Sequence, residues 1–122
     1  MKMCFFIYKG EIMKVNILGT EYTIKELRKE QDYYLKDCDG YTDKTSKTIV
    51  IRAYDKTVEL DNFTVYKNKV MRHEIIHAFL YESVLHENFE HSNSFGHEET
   101  TIDWFAVQFP KMLEVFKEVG CL

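Results

Sequence analysis

The first half of the chain alternates apolar and polar positions at the two-residue period of a β-strand. Residues 13–18 run Met, Lys, Val, Asn, Ile, Leu and end at Gly19-Thr20, which is a turn signal. Residues 48–54, with the sequence TIVIRAY, are dense in β-branched side chains and form the clearest predicted strand. These two segments indicate a sheet in the first half of the chain.

The segments between these strands are less regular. Residues 21–36 mix β-forming side chains with charges and fit either a strand or a short helix. Residues 37–47, DCDGYTDKTSK, are rich in turn-forming residues and predict a polar loop. We therefore expect a small, mostly antiparallel sheet built from residues 1–54.

The second half of the chain predicts two helices. The first is expected from Thr64 to about Ser83, a span without glycine or proline, and Asp61 or Asn62 is placed to cap it. Residues at helical spacing mark one side of this helix, with His73 beside them: Val70, Ile76, His77 and Leu80.

A polar loop over residues 86–96 precedes the second helix, which is expected to begin at about His97. Apolar side chains at helical spacing mark a stripe along it: Ile102, Phe105, Ala106 and Phe109, continued by Met112, Leu113 and Phe116. Pro110 should kink or restart this helix, because proline lacks an amide hydrogen and clashes with the preceding turn.

Length and composition agree with one α+β domain over residues 1–122. This length suits a single core, and 45% apolar residues are enough to pack a globule. Residues 1–12 are a possible N-terminal extension, because MKVNILGTEY from Met13 reads as a natural start. The net charge of -4 and the lack of a long basic run argue against nucleic acid as a partner.

Three scattered cysteines, Cys4, Cys38 and Cys121, form no CxxC pair, so we expect free thiols in a reducing compartment. The first residues contain a short apolar run without a signal-peptide cleavage pattern. No segment approaches the roughly 20 apolar residues of a membrane span. These features predict a cytoplasmic protein with no membrane partner.

The segment RHEIIHAF carries an HExxH pattern on the first predicted helix. His73 and His77 are four residues apart, so both imidazoles lie on one face and can reach a single ion. Glu74 lies near that face and can contact a water held by the metal. The pattern predicts His73 and His77 as metal ligands and Glu74 as a catalytic base.

A catalytic zinc usually has three protein ligands and a water, so a third ligand is needed. The second helix offers Glu99, with Glu98 and His97 as alternatives, although acidic residues are also favourable at a helix N-terminus. Asp103 lies one turn beyond Glu99 and is placed to accept a hydrogen bond from a ligating histidine, in particular His73. We predict Glu99 as the third ligand and Asp103 as the carboxylate that accepts a hydrogen bond from the ligand His73.

Two motifs on successive helices, HEIIH and ETTID, resemble the gluzincin division of zinc peptidases. More closely, MRHEIIHAFLYESVLH and DWFAVQFPKM resemble small zinc-peptidase-like proteins of phages and prophages, relatives of the ImmA/IrrE metallopeptidases. The resemblance covers roughly residues 13–118 and is strongest over 70–113. It implies a sheet packed on an active-site helix and a second helix that brings the glutamate, within a bacterial host cell. ImmA/IrrE proteins usually carry Asn where this chain has Asp103, and substrate choice is not carried over.

The expected activity is zinc-dependent hydrolysis of peptide bonds in an intracellular protein or peptide. Zn²⁺ would be held by His73, His77, Glu99 and a water, with Glu74 as the general base. An extended peptide would add to an edge of the sheet, for which the strand at 48–54 is the candidate.

Two alternatives stay open. A catalytically silent phage or prophage protein could keep the metal as a structural clamp between the helices. A DNA-associated SprT-like protease would need a histidine as third ligand and a basic surface. Tyr81, His86, His91 and His97 are candidate oxyanion donors, although loop histidines are more often solvated.

Overall fold

The computed structural model describes residues 12–54, 63–84 and 99–122, and these form an α+β fold with one sheet and two long helices. The predicted fold class is therefore confirmed at this level. The strands are β1 (Ile12–Ile17), β2 (Thr20–Leu27), β3 (Gly40–Asp43) and β4 (Thr48–Arg52). The helices are α1 (Phe63–Glu82) and α2 (Glu99–Val119).

The sheet has the strand order β1-β2-β4-β3 and is mixed. β1 pairs with β2 and β3 pairs with β4 in antiparallel fashion, whereas β2 and β4 are parallel. The segment at 21–36, which fits a strand or a short helix by sequence, contains both: β2 is followed by a 3₁₀ turn at Tyr33–Lys36.

The predicted polar loop at 37–47 is wrong in its centre, because Gly40–Asp43 form β3. The sequence of this strand, Gly-Tyr-Thr-Asp, has no apolar alternation. All four residues are only partly buried, because the strand lies at the edge of the sheet. β4 lies between β2 and β3, and its central residues Ile49, Val50 and Ile51 are buried. The expectation that 48–54 is a sheet edge is therefore also wrong, and among the described strands the edges are β1 and β3.

α1 buries a different side from the one that the apolar spacing marks. The buried residues of α1 are Met71, Glu74, Ile75, Ala78 and Phe79. The residues expected to mark its apolar side, Val70, Ile76 and Leu80, are only partly buried at the border of the core. Apolar side chains occur almost all round this helix, so spacing alone did not select the face that meets the sheet.

α2 buries only part of its predicted stripe. Among its described side chains, Met112 and Phe116 of the stripe are buried together with Trp104 and Val115, whereas Phe105 and Phe109 of the stripe are 43% and 53% exposed. The helix runs through Pro110 and does not restart there. Proline removes the hydrogen bond to the carbonyl four residues earlier, and that residue, Ala106, is exposed, so water can replace the bond.

Two hydrogen bonds link α1 with α2, one towards each end of α2. Trp104 Nε1 donates to Ser83 Oγ at 2.9 Å, and Arg72 Nη1 donates to the carbonyl oxygen of Cys121 at 2.6 Å. The helices are therefore antiparallel, and apolar residues of both join the sheet in one core. No described helix is long and apolar enough to cross a membrane. Cys38 and Cys121 are free thiols, as expected, and Cys4 lies outside the described residues.

Glu82 ties the C-terminal end of α1 to the sheet. Its carboxylate accepts hydrogen bonds from Thr20 Oγ1 at 2.8 Å, Tyr22 Oη at 2.7 Å and Lys47 Nζ at 2.7 Å. Burial alone raises the pKa of Glu82, but the bonds from Lys47, Tyr22 and Thr20 outweigh it and lower the pKa below its usual value. Burial of Tyr22 and its hydrogen bond to the Glu82 carboxylate raise the pKa of Tyr22, so its hydroxyl stays protonated and donates.

Candidate metal centre

His73 and His77 place their imidazoles side by side on α1, as the four-residue spacing predicts. Their Nε2 atoms are 3.2 Å apart, and the ring centroids are 4.9 Å apart. His73 is exposed and His77 is partly buried, so the pair faces outward from the core. Both coordinating nitrogens therefore point to one place that solvent can reach.

The separation of these two nitrogens fits a shared metal ion. Zinc–imidazole bonds of about 2.0–2.1 Å at a tetrahedral angle put two nitrogens roughly 3.3 Å apart. The observed 3.2 Å also fits one N–H···N hydrogen bond between neutral rings. The geometry is thus compatible with metal binding without backbone movement, and the donor set of two imidazoles suits zinc among other divalent ions.

Glu74 lies between α1 and β3 and is only 7% exposed. Its Oε1 accepts a hydrogen bond from Thr42 Oγ1 at 2.9 Å, and the same hydroxyl lies 2.9 Å from the carbonyl oxygen of Glu74. Among the described residues, Thr42 is the one side chain that donates to this carboxylate. One carboxylate oxygen is therefore held in place, and the other is not engaged by a described donor.

Gly40 allows β3 to approach α1 closely beside this carboxylate. A Cβ atom at this position would lie 3.0 Å from the carbonyl oxygen of Val50, 3.0 Å from Cγ1 of Val70 and 3.4 Å from Cγ of Glu74. Any larger residue would push the strand away from the helix. Glycine at this position therefore keeps Thr42, two residues further along the strand, within hydrogen-bond distance of Glu74.

Two neighbouring clefts share His73 as a lining residue, and together they form what we call the groove. The first has a volume of about 310 Å³, and the second about 230 Å³. Both clefts are lined by Gly40, His73 and Glu74. The first cleft adds Tyr41, Thr42, His77 and Tyr81. The second adds Asp39, Tyr66, Lys69 and Val70. The groove thus follows the edge strand β3 past the two imidazoles.

Among the described strands, none pairs with the side of β3 that faces away from β4, and this side carries backbone groups that the described sheet does not use. The amide of Arg52 donates to the carbonyl of Asp39 at 2.8 Å, and the antiparallel register then alternates along the strand. Tyr41 and Asp43 therefore exchange bonds with β4, whereas the amide and carbonyl groups of Gly40 and Thr42 point outward. The Gly40 amide donates to the Cys38 thiol, whereas the Gly40 carbonyl and the Thr42 amide and carbonyl have no partner among the described residues and suit an added strand.

Asp39 fixes the beginning of β3 through two tyrosines. The hydroxyls of Tyr54 and Tyr66 both donate to its carboxylate. The hydrogen bond from Tyr66 to Asp39, together with burial of Tyr66, raises the pKa of the Tyr66 hydroxyl. Sequence reasoning missed Asp39, Gly40 and Thr42, because a short polar edge strand lacks an apolar period. The glycine inside DCDGYTD was the available signal, since glycine in a strand often marks close backbone approach.

The predicted second half of the metal site is only partly described. Glu99 is the first residue of α2, but its side chain lies outside the described residues, as do His86, His91, His97 and Glu98. Asp103 is exposed. Within the described ranges, no group of three or more His, Cys, Asp and Glu side chains comes together as a metal site. The roles of Glu99 and Asp103 therefore stay predictions.

No protein-family model, no curated protein sequence and no solved structure matches this chain. The resemblance to gluzincins and to the ImmA/IrrE metallopeptidases therefore rests on the residues of the two motifs.

Proposed function

We propose that the chain is a zinc-dependent metallopeptidase that hydrolyses peptide bonds of a protein or peptide. The observation that carries the proposal is the pair of Nε2 atoms of His73 and His77, 3.2 Å apart in a groove beside the buried Glu74. Glu99 is proposed to complete the ligand set, and Asp103 to accept a hydrogen bond from His73.

When bound, zinc would supply a Lewis acid and a water of lowered pKa. Glu74 is the base in this proposal. Thr42 engages its Oε1, which leaves Oε2 to accept a proton from the water and to pass it to the leaving amine. A carboxylate that is held by one neutral hydroxyl is oriented without being neutralised by a cation.

The substrate in this proposal is an extended peptide that pairs with β3. The outward carbonyl of Gly40 and the outward amide and carbonyl of Thr42 would hold its backbone, which is strand addition at a sheet edge. β3 is a suitable edge for this pairing, because β3 and the two imidazoles line the same groove. Recognition through main-chain groups does not require one particular sequence, so side-chain selectivity must come from the walls of the groove.

The rival reading is a catalytically silent protein in which the metal clamps α2 to α1. α2 already buries Trp104, Met112, Val115 and Phe116, and the Trp104–Ser83 hydrogen bond joins the two helices. A metal clamp is therefore not needed to hold this helix. The exposed position of His73 also favours an open metal site over a closed structural one.

The proposed setting is the cytoplasm of a bacterial cell, with a phage or prophage origin. This part of the proposal rests on the resemblance of the two motifs to small phage metallopeptidases. It is tested separately from the chemistry, by the location and the genomic neighbourhood of the coding sequence.

The experiment that tests the proposal measures metal content and peptide cleavage on the same samples. The full chain, stripped with a chelator and reloaded, should bind one zinc per chain and cleave members of a random peptide library. His77→Ala should lose both, and the matched control Thr64→Ala, at an exposed position of the same helix, should lose neither. One bound zinc without any cleavage would favour the clamp, and no bound zinc would contradict both readings.

A further inference from the structure

Tyr81 lines the first cleft, and Lys44 lies against its ring at the border of the groove. The Tyr81 ring stacks beside His77, with centroids 6.3 Å apart and planes at 24°. The ammonium of Lys44 lies 5.5 Å from the centroid of the same ring. Lys44 is exposed at the turn that follows β3. A positive charge is thus held next to the first cleft by an aromatic side chain that lines it.

The neighbouring carboxylate of Asp43 forms none of the described ion pairs with Lys44. Asp43 accepts hydrogen bonds from the amide and hydroxyl of Thr45, at 2.9 and 2.6 Å, and from the amide of Ser46 at 3.4 Å. These bonds lower the pKa of Asp43 to about 2 and hold its carboxylate inside the turn. Among the described ion pairs, Lys47 is paired with Glu82, whereas none involves Lys44.

We propose that Lys44 and Tyr81 form a subsite that selects an acidic side chain in the bound peptide. The carboxylate of a glutamate would meet the Lys44 ammonium, and its methylene groups would contact the side of Tyr81 that lines the first cleft. Lys44 is two residues beyond Thr42, in the turn that follows β3. The acidic side chain would therefore bind on the Asp43 side of the position that pairs with Thr42.

This inference rests on the proposed function for the presence of a peptide in the groove. It adds the chemical class of side chain that the groove selects, which neither the zinc pair nor strand addition supplies. The peptide direction along β3 decides whether the acidic residue precedes or follows the cleaved bond. One spacing from the cleaved bond is expected in either direction, because the imidazole pair and Lys44 have fixed places along the groove.

The test uses binding, so that it does not depend on cleavage. The zinc-loaded Glu74→Gln protein is titrated with blocked decapeptides of threonine and alanine that carry one Glu, Gln or Lys at each position in turn. At one position Glu should bind roughly 3–5-fold tighter than Gln, the scale of a partly exposed ion pair. Lys44→Glu should reverse the preference towards Lys, and Lys44→Met should abolish it.

Lys36→Glu is the matched control. Lys36 is also exposed and also lies over a tyrosine ring, with its ammonium 4.6 Å from the Tyr33 centroid, but Tyr33 does not line the groove, whereas Tyr81 does. This variant should keep the wild-type preference for Glu. The inference is overturned if Glu and Gln peptides bind equally, if Lys44→Glu leaves the preference unchanged, or if no peptide binds. Binding with the expected preference but no cleavage by the zinc-loaded wild type would instead overturn the proposed function alone.

Discussion

Glu74 and Glu82 are two largely buried carboxylates on the same helix, about two turns apart, and their surroundings differ. Glu82 is held by one lysine and two hydroxyls at 2.7–2.8 Å. Glu74 receives one hydroxyl from Thr42 among the described residues and lies beside two imidazoles. A carboxylate whose oxygens are fully engaged by donors can only hold structure together. A carboxylate held at one oxygen keeps the other available for chemistry.

The largest expected effect comes from Glu74. Glu74→Gln keeps the size of the side chain and can still bond Thr42, but it removes the base. We expect the zinc content and the melting temperature to stay unchanged while kcat falls by about 10²–10⁴-fold, the usual scale of general-base catalysis. Peptide cleavage and elemental analysis of one preparation measure both. The matched control is Glu118→Gln at an exposed position of α2, which should alter neither.

The next effect concerns a third carboxylate, Asp103, which the account assigns to the support of a metal ligand. Asp103→Ala should weaken zinc binding by roughly 10–100-fold, because a histidine ligand would lose the acceptor that orients it. Competition with a chromogenic chelator measures the affinity. Unchanged affinity would show that Asp103 is only an exposed charge on α2.

Glu82→Gln should give the opposite pattern to Glu74→Gln. It should lower the free energy of unfolding by about 1–3 kcal/mol, because hydrogen bonds to a charged group are lost while zinc binding stays intact. Urea unfolding measures this change. Equal stability of the wild type and Glu82→Gln, or loss of zinc from Glu82→Gln while Glu74→Gln keeps it, would contradict the different roles assigned to the two carboxylates.

The stability difference between wild type and Glu82→Gln should also depend on pH. The folded state lowers the pKa of Glu82, so its stabilisation is complete above the ordinary value of 4.5 and is lost as the pH falls through the lower folded value. The unfolding curves of the two proteins should therefore converge in acid and separate near neutral pH. A difference that grows in acid would contradict the assigned role of Lys47, Tyr22 and Thr20.

The smallest expected effect tests how Glu74 is held. Thr42→Val keeps the shape of the side chain but removes the hydroxyl that donates to Oε1. We expect kcat/KM to fall by roughly 2–10-fold, the value of one hydrogen bond of about 0.5–1.5 kcal/mol, with zinc binding unchanged. Thr64→Val, at an exposed position of α1, is the control and should leave kcat/KM at the wild-type value.

The sequence predicted the helix positions and the histidine pair well, because both depend on local spacing. α1 was expected from Thr64 to about Ser83 and is Phe63–Glu82. The four-residue spacing of His73 and His77 fixes their adjacency on any helix. The α+β class followed from the change of period between the two halves of the chain.

The edge strand and the buried faces were not predicted, because they depend on tertiary contacts. β3 contains Gly40, Tyr41, Thr42 and Asp43, and no apolar period marks it. Its place beside Glu74 follows from pairing with β4 and from the close approach at Gly40. On α2, the apolar spacing correctly included Met112 and Phe116, but it also favoured Phe105 and Phe109, which are exposed, and it missed Trp104 and Val115, which contacts with α1 and the sheet bury.

The most direct test of the central claim is an anomalous-scattering map, at the zinc edge, of crystals of the zinc-loaded protein. The account predicts one zinc about 2.0–2.1 Å from Nε2 of both His73 and His77, with three protein ligands and a water. Glu74 should contact that water without binding the ion. A zinc at another place, or a site closed by four protein ligands, would contradict the assignment of this groove as a hydrolytic centre.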